Sequence, residues 1–308
     1  MDGMPDPLWN VAIVGPGGVG GLIGAVLARA GHRVMFVARP ETVDALTTGG
    51  LTVHSGKFGD FQVPATATAR LSGPVDACVL AVKATALDAA LERVPAGALG
   101  DGLVLPLLNG VEHLPLLRTR FPAAQVVAGA IRVETTRVAP GRIEHTSPFS
   151  GIEVASDTAP GERVEALAAQ FRRAGLDVTV RDDETAVLWD KLAFLAPLAL
   201  LTTAAGAPAG TIRTQWRETL EAVVGEIASV ATAAGAPVDP ATILGMFDRV
   251  PAGMKSSMQR DAEAGRATEL DAIGTAVLRA ADRYGLTTPV TARLVDELST
   301  RESARLAE

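Results

Sequence analysis

The stretch NVAIVGPGGVGGLIGAVLARA, residues 10–30, decides the fold of this chain. Residues 10–14 have the pattern of a buried strand, the next glycines are spaced G-x-G-x-x-G, and an apolar helical run continues to residue 30. A strand, a glycine turn and a helix in this order are typical of a dinucleotide pocket, where the helix N-terminus adds positive charge for phosphates. Gly15 permits the turn, Gly17 lets backbone amides approach a pyrophosphate, and Gly20 lets the helix pack close to the strand. The predicted cofactor-binding residues of this turn are Gly15, Pro16, Gly17, Gly18, Val19 and Gly20.

The residue after the second predicted strand indicates which dinucleotide binds. That strand covers residues 34–38 and is followed by Arg39. In an NAD site, an Asp or Glu at the end of this strand binds the 2′-hydroxyl of the adenine ribose. The guanidinium donors of Arg39 instead suit a 2′-phosphate, which a carboxylate would repel. The sequence therefore favours NADPH, and the alternative is an arginine that is merely solvated at the surface.

Composition limits the class of protein. The chain has 308 residues, which exceeds the usual size of one domain, so two domains are expected. Hydrophobic residues make up 48% of the chain, which is enough to form their cores. A net charge of −7 gives no basic face for nucleic acid. Cys78 is the single cysteine and lies in an apolar run, so we expect a buried structural thiol and no internal disulfide. We expect no metal, because the four histidines lack ligand spacing; they are His32, His54, His113 and His145.

Two further features bear on location. The sequence pattern predicts no apolar run of the ~18–20 residues needed to span a bilayer. Residues 1–6, MDGMPD, are acidic and lack the layout of a signal peptide. We therefore expect a cytoplasmic protein with a small-molecule substrate and neither a membrane nor a nucleic-acid partner. A homodimer is compatible with the sequence, but no interface pattern is visible.

The order of predicted elements gives the fold class. Through about residue 180, short strands alternate with helices, and residues 51–54 and 61–63 suggest a small hairpin. This pattern predicts an α/β, Rossmann-type doubly wound N-terminal domain over residues 1–181. From residue 182 the sequence pattern becomes that of long helices, which predicts an all-α C-terminal domain over residues 182–308. We expect a ligand cleft between the two domains. The helices predicted in the C-terminal domain cover residues 184–201, 213–234, 240–249, 256–264, 269–284 and 288–305.

Two polar residues stand where predicted strands of the first domain end. Lys83 ends the run Leu-Ala-Val-Lys, and Asn109 ends Leu-Leu-Asn-Gly. Ligand groups belong at the carboxyl ends of parallel strands. Lys83 can reach the ribose or phosphates of a cofactor, and Asn109 can bond the cofactor or the substrate. The alternatives are a lysine that extends to water and an ordinary Asn-Gly turn.

The segment WDKLAFL places Lys191 among apolar residues, with Leu195 and Ala199 on the same helical face. A lysine near apolar surface loses hydration and donates its proton more easily near neutral pH. The alternative is a lysine that pairs with Asp190 or extends to water.

The helical half contains a second candidate cluster. Thr268 and Asp271 have the spacing of a capping box, so a helix is expected to begin there with Glu269 in its first turn. The helix dipole alone favours a carboxylate at that position. A functional carboxylate would in addition orient substrate hydroxyls or the lysine.

Taken together, these motifs resemble the ketopantoate reductase (2-dehydropantoate 2-reductase) family over nearly the whole chain. Their order is the glycine turn, Arg39, Val-Lys83, Asn109-Gly, Trp-x-Lys191-Leu, Ser-Ser257-Met and Thr-Glu269-Leu-Asp. The resemblance implies NADPH-dependent reduction of a 2-oxo acid to a 2-hydroxy acid, as in pantothenate biosynthesis. It also implies a catalytic role for Lys191, with Glu269 fixing substrate and cofactor. Asn109 falls on the active-site asparagine and Ser257 on a serine that contacts substrate.

The chain departs from the family pattern at three positions. Leu195, Ala199 and Met254 stand where the family usually has asparagines. Each hydrogen bond lost to a buried polar substrate group costs about 1–3 kcal/mol. Three hypotheses therefore remain open: a ketopantoate reductase, a sibling reductase for a more apolar carbonyl substrate, and a non-catalytic NADP-binding sensor.

Overall fold

The computed structural model describes residues 7–306, and internal contacts divide this part of the chain into two units. The first unit runs up to Leu108 and resumes with His113–Val187. The second unit contains Asn109–Glu112 and the described residues from Leu188 onward. Residues 1–6, on which the signal-peptide prediction rests, lie outside the described residues.

A five-stranded parallel sheet forms the centre of the first unit. Its strands lie in the order β5 (Thr66–Thr68), β2 (Arg33–Val37), β1 (Asn10–Val14), β6 (Ala77–Leu80) and β7 (Leu103–Pro106). Val14 pairs with Val37 on one side and with Leu80 on the other, and Leu80 pairs with Pro106. These four strands therefore end at the same edge, and the loops that leave them start side by side. The strand order confirms the predicted Rossmann-type doubly wound fold.

Helix α1 (Gly18–Arg29) follows β1 and packs very close to its neighbours. A Cβ added at Gly24 would lie 2.3 Å from the ring of Phe36, and one at Gly21 would lie 2.6 Å from Ile143. Both neighbours are fully buried. Glycines on this helix therefore make room for side chains of the core. The other α-helices described in this unit are α2 (Pro40–Gly49), α3 (Leu87–Leu91), α4 (Ala96–Leu99), α5 (His113–Arg120) and α6 (Gly161–Arg173).

Two smaller sheets complete the first unit. One has the order β4-β3-β10-β9, and the other has the order β12-β11-β8. Strands β3 and β4 pair antiparallel, which confirms the predicted hairpin. The strands are β3 (Leu51–Ser55), β4 (Phe61–Val63), β8 (Ala128–Arg132), β9 (Thr135–Ala139), β10 (Arg142–His145), β11 (Gly151–Ala155) and β12 (Asp177–Val180).

The second unit is helical, as predicted. Its α-helices are α7 (Glu184–Ala205, with its first turn in the first unit), α8 (Ala209–Gln215), α9 (Arg217–Ala233), α10 (Pro240–Arg249), α11 (Ser257–Glu263), α12 (Ala276–Arg283) and α13 (Pro289–Leu306). The single helix predicted over residues 213–234 is wrong, because Trp216 leaves helical geometry with φ −118° and ψ 24° between α8 and α9. The helix predicted from residue 269 is present, and its first turns include a π-helical turn, Asp271–Thr275, before α12.

Helix α7 corrects one expectation about apolar runs. Among the described residues it is long and apolar enough to cross a membrane by length and composition. However, 67% of its apolar window is buried inside the protein, which is typical of a core helix. The cytoplasmic location remains a prediction.

The environment of Cys78 makes its reactivity testable. The side chain is fully buried in β6, and burial raises the pKa of its thiol to about 12. At pH 8 the thiol is therefore protonated and a poor nucleophile. We expect no reaction of the native protein with Ellman's reagent at pH 8, and release of one equivalent in guanidinium chloride. Rapid labelling of the native protein would contradict the structural role.

Candidate functional site

The glycine turn after β1 is held by two close contacts. Gly15 has φ +86°, and a Cβ there would lie 2.5 Å from Val82 Cγ1. A Cβ at Gly20 would lie 2.2 Å from the carbonyl oxygen of Gly15. A larger residue at Gly20 would have to move the backbone, and one at Gly15 would be strained by the positive φ and would displace Val82. These contacts match the roles predicted for Gly15 in the turn and for Gly20 in close packing.

Gly17 occupies the open side of the same turn. It is the N-cap of α1, no side chain caps the helix, and a Cβ at Gly17 would meet nothing within 4 Å. Its amide donates to the carbonyl of Gly15 at 2.7 Å. An uncapped helix N-terminus beside open space suits an anion such as a pyrophosphate. The turn therefore has the shape and polarity that a dinucleotide requires.

Thr135 covers another side of this turn and was missed by sequence reasoning. A Cβ at Gly18 would lie 2.6 Å from the carbonyl oxygen of Thr135, whose hydroxyl donates to the Gly18 carbonyl at 3.3 Å. Thr135 is 117 residues away on β9, and no local motif marks it.

Arg39 and Lys83 both lie in loops at the carboxyl edge of the parallel sheet. Arg39 follows β2 and is the N-cap residue of α2. Its guanidinium lies 3.2 Å from the carboxylate of Glu41, with both side chains more than 60% exposed. Lys83 follows β6 and is exposed. Strands β2 and β6 are the two neighbours of β1, so the loops that carry Arg39 and Lys83 flank the glycine turn. The ligand roles of both residues remain predictions.

In the second unit, Asn109 and Glu269 form the pair at the centre of the candidate site. They are 160 positions apart, and the Asn109 side-chain nitrogen donates to Glu269 Oε2 at 2.9 Å. Glu269 is only 6% exposed, and Asn109 is half-buried. The side-chain nitrogen of Asn109, rather than its oxygen, therefore faces the carboxyl oxygen that accepts. The structure therefore brings together two residues that the sequence singled out separately.

Only half of the capping box predicted beside Glu269 is present, because the Thr268 hydroxyl oxygen accepts from the Leu270 amide at 3.3 Å but Asp271 does not bind back. The Thr268 amide donates to Glu302 rather than to Asp271, at 2.8 Å, and the Thr268 hydroxyl also donates to Glu302 at 2.8 Å. The carboxylate of Asp271 instead accepts from Arg279. Glu269 precedes the π-helical turn, and its carbonyl accepts from Ile273 at 3.0 Å. The segment that carries Glu269 is thus held by Glu302 of α13, which a local motif does not reveal.

Lys191 lies near the start of α7 and is half-buried. Of the two residues predicted on its face, Leu195 is half-buried and Ala199 is fully buried. One further turn along this face, Thr202 exchanges a hydrogen bond of 2.9 Å with Ser256. This bond fixes the start of α11 against the lysine helix.

Two neighbouring serines stand at the start of α11, and the predicted substrate contact, Ser257, differs from Ser256 in its exposure to solvent. Ser257 is exposed, whereas Ser256 is 3% exposed and its hydroxyl accepts from the amide of Gln259 at 3.0 Å. Ser256 is the N-cap, and the spacing Ser-x-x-Gln is the signal that would have identified it. Met254 is half-buried just before this helix, and its carbonyl accepts from Ala209 at 2.9 Å. The substrate role of Ser257 stays a prediction.

Comparisons with known proteins agree with this architecture. The family model described as "Ketopantoate reductase PanE/ApbA" matches residues 11–156, and the model for its C terminal matches residues 184–302. The chain is 32% identical to "Uncharacterized oxidoreductase YkpB" of Bacillus subtilis, over 90% of this chain and 94% of that protein. It is 34% identical to the 2-dehydropantoate 2-reductase of Mesorhizobium japonicum, over 87% of this chain and 90% of that protein.

Solved structures show the same fold. The 2-dehydropantoate 2-reductase of Geobacter metallireducens matches with a TM-score of 0.88 and 29% identity, over 95% of this chain and 99% of its own. A D-mandelate dehydrogenase with NADH and anilino(oxo)acetate matches with a TM-score of 0.87, over 96% of this chain and 99% of its own; at 22% identity this likeness concerns the fold alone. The two family models together span most of the described residues, so the chain belongs to the ketopantoate reductase family of oxidoreductases.

Proposed function

We propose that this protein catalyses the NADPH-dependent reduction of a 2-oxo acid to the 2-hydroxy acid. The observation that carries the proposal is the hydrogen bond between Asn109 and the buried carboxylate of Glu269. In this proposal residues 1–181 hold the cofactor, and residues 182–308, together with Asn109, carry the substrate and the proton donor. Family membership supports the reaction class.

The glycine turn supports the cofactor assignment. Residues 15–20 offer backbone amides at an uncapped helix N-terminus, with open space at Gly17. Arg39 would bind the 2′-phosphate, and its exposed ion pair with Glu41 is weak enough to be exchanged for that contact. Lys83 would bind the ribose or the phosphates. When bound, NADPH supplies the hydride.

Lys191 is the proposed proton donor. Reduction of the C2 carbonyl leaves negative charge on its oxygen, which an ammonium group stabilises and then protonates. Asn109 and Glu269 would orient the substrate, because their mutual bond fixes the amide and the carboxylate in one geometry. Ser257 would add a contact to the substrate.

A second candidate concerns the substrate. The face of α7 that carries Lys191 continues with Leu195 and Ala199, and Met254 precedes α11. These apolar side chains favour a 2-oxo acid with an apolar side chain over ketopantoate, whose hydroxyl needs hydrogen-bond partners. A role in pantothenate biosynthesis belongs to the first candidate. A non-catalytic NADP sensor is the third, and failure to oxidise NADPH with any 2-oxo acid would favour it.

Replacing the proposed proton donor tests the mechanism. We expect Lys191→Ala to lower kcat by about 10²–10⁴-fold, because the oxyanion loses its stabilising charge and its proton source. NADPH affinity, measured by fluorescence titration, should be unchanged. Lys57→Ala is the matched control, since Lys57 pairs with Asp177 in the first unit. Near-normal turnover of the Lys191 variant would remove the assigned role.

The cofactor preference tests the role of Arg39. We expect Arg39→Ala to weaken NADPH binding at least about tenfold and to leave NADH binding nearly unchanged, because only NADPH carries the 2′-phosphate. Arg33→Ala, at the opposite end of the same strand, serves as the control. Equal losses for both cofactors would refute the phosphate contact.

Substrate choice can be measured with a panel of 2-oxo acids. We expect a higher kcat/KM for acids with branched aliphatic or aromatic side chains than for ketopantoate. Leu195→Asn should raise the kcat/KM for ketopantoate by about 5–100-fold, the worth of one buried hydrogen bond. Leu195→Ala separates the gain of an amide from the loss of volume. If ketopantoate is already the best substrate of the unmodified protein, the apolar-substrate candidate is wrong.

A further inference from the structure

Arg279 on α12 joins the two chain segments that carry Asn109 and Glu269. Its guanidinium donates to Glu112 from Nε at 3.0 Å and from Nη2 at 2.6 Å. The same group donates to Asp271 from Nη1 at 2.7 Å and from Nη2 at 3.1 Å. One planar side chain thus makes bidentate pairs with two carboxylates, a geometry that lysine cannot reproduce.

The two carboxylates stand next to the residues of the proposed site. Glu112 is three positions after Asn109, and Asp271 is two positions after Glu269. The Asn109–Glu269 hydrogen bond and the Arg279 bridges therefore close a ring through both segments. Because the ring joins residues that are far apart in sequence, the Asn109–Glu269 pair depends on the Arg279 bridges as well as on its own hydrogen bond.

The backbone between these segments has no spare room. Gly110 has φ +88°, and a Cβ there would lie 2.4 Å from the carbonyl oxygen of Ala272. Ala272 belongs to the π-helical turn Asp271–Thr275 that separates Glu269 from α12. π-Helical turns are rare overall, and those that do occur often lie at functional sites. The segment Asn109–Glu112 therefore lies directly against this turn.

The two sides of the pair are held differently. On the Glu269 side, Thr268 is tied to Glu302 of α13 by two hydrogen bonds of 2.8 Å that do not involve Arg279. On the Asn109 side, Glu112 is bound to Arg279. Loss of Arg279 should therefore loosen the Asn109 segment while Glu269 keeps its place. This asymmetry makes the function of Arg279 specific.

We propose that Arg279 is a positioning residue that holds Asn109 against Glu269 by bridging Glu112 and Asp271. We call the bridge from Arg279 to Glu112 and Asp271 the clamp. The clamp follows from the contacts, whereas its effect on catalysis rests on the proposed reduction of a 2-oxo acid. Arg279 acts through its two carboxylate partners and does not itself act on the reacting group.

Kinetics on the whole 308-residue chain test the catalytic side. We expect Arg279→Gln to lower kcat/KM for the 2-oxo acid about 10–100-fold, as for a misplaced orienting group, with NADPH affinity unchanged. In the Asn109→Ala background the same change should cost less than about threefold, because the positioned group is already gone. Arg217→Gln is the matched control, since Arg217 also binds two carboxylates, those of Glu221 and Asp248, in the second unit. Additive losses in the double variant would overturn the proposal.

Hydrogen exchange tests the clamp without activity. In Arg279→Gln, and in Arg279→Lys or Glu112→Gln should the first variant fold poorly, peptides covering residues 107–113 should exchange faster than in the unmodified protein. Peptides covering residues 266–270 should change little, and Arg217→Gln should leave both regions unchanged. Unchanged exchange over residues 107–113 would overturn the clamp. A lack of turnover with every 2-oxo acid alongside faster exchange would instead refute the proposed function.

Discussion

The hydrogen bond from Asn109 to Glu269 is the interaction on which the candidate site of the second unit depends. It joins a four-residue segment, Asn109–Glu112, to the start of a helix 160 positions later. By its contacts this segment belongs to the helical unit, although strand β7 of the parallel sheet ends just before it. Asn109 therefore comes shortly after the end of a strand and donates its hydrogen bond to the buried carboxyl group of Glu269.

In the first unit, close packing between Gly15 and Gly20, rather than a hydrogen bond, fixes the geometry of the glycine turn. The carbonyl oxygen of Gly15 occupies the space that a Cβ at Gly20 would need, so the turn and the helix fix each other. Gly17 faces open space instead, which leaves the helix N-terminus accessible. Close packing on one side and an open side next to it are what the backbone needs in order to bind a phosphate.

Local patterns predicted the elements but not the contacts between distant residues. The glycine turn, the hairpin and the helix Pro240–Arg249 follow from spacing and periodicity, and all three are present. The capping box is only half formed because Glu302, 34 positions away, accepts from the Thr268 amide that Asp271 was expected to bind. Asn109 and Glu269 were each found from their position after an apolar run or a capping signal. Their pairing, and the part of Arg279 in it, depend on distances that periodicity does not encode.

The buried carboxylate explains why residues distant from the proposed chemistry matter. A carboxyl group at 6% exposure is costly unless hydrogen bonds compensate for the lost hydration. Asn109 supplies one such bond, but only while its segment is held in place. Arg279 and Glu302 fix the segments on either side, and both use multiple hydrogen bonds rather than single ones. The polar pair inside an apolar helical unit therefore depends on a surrounding set of ion pairs and hydrogen bonds, made by residues such as Arg279 and Glu302 that are not proposed to touch the substrate.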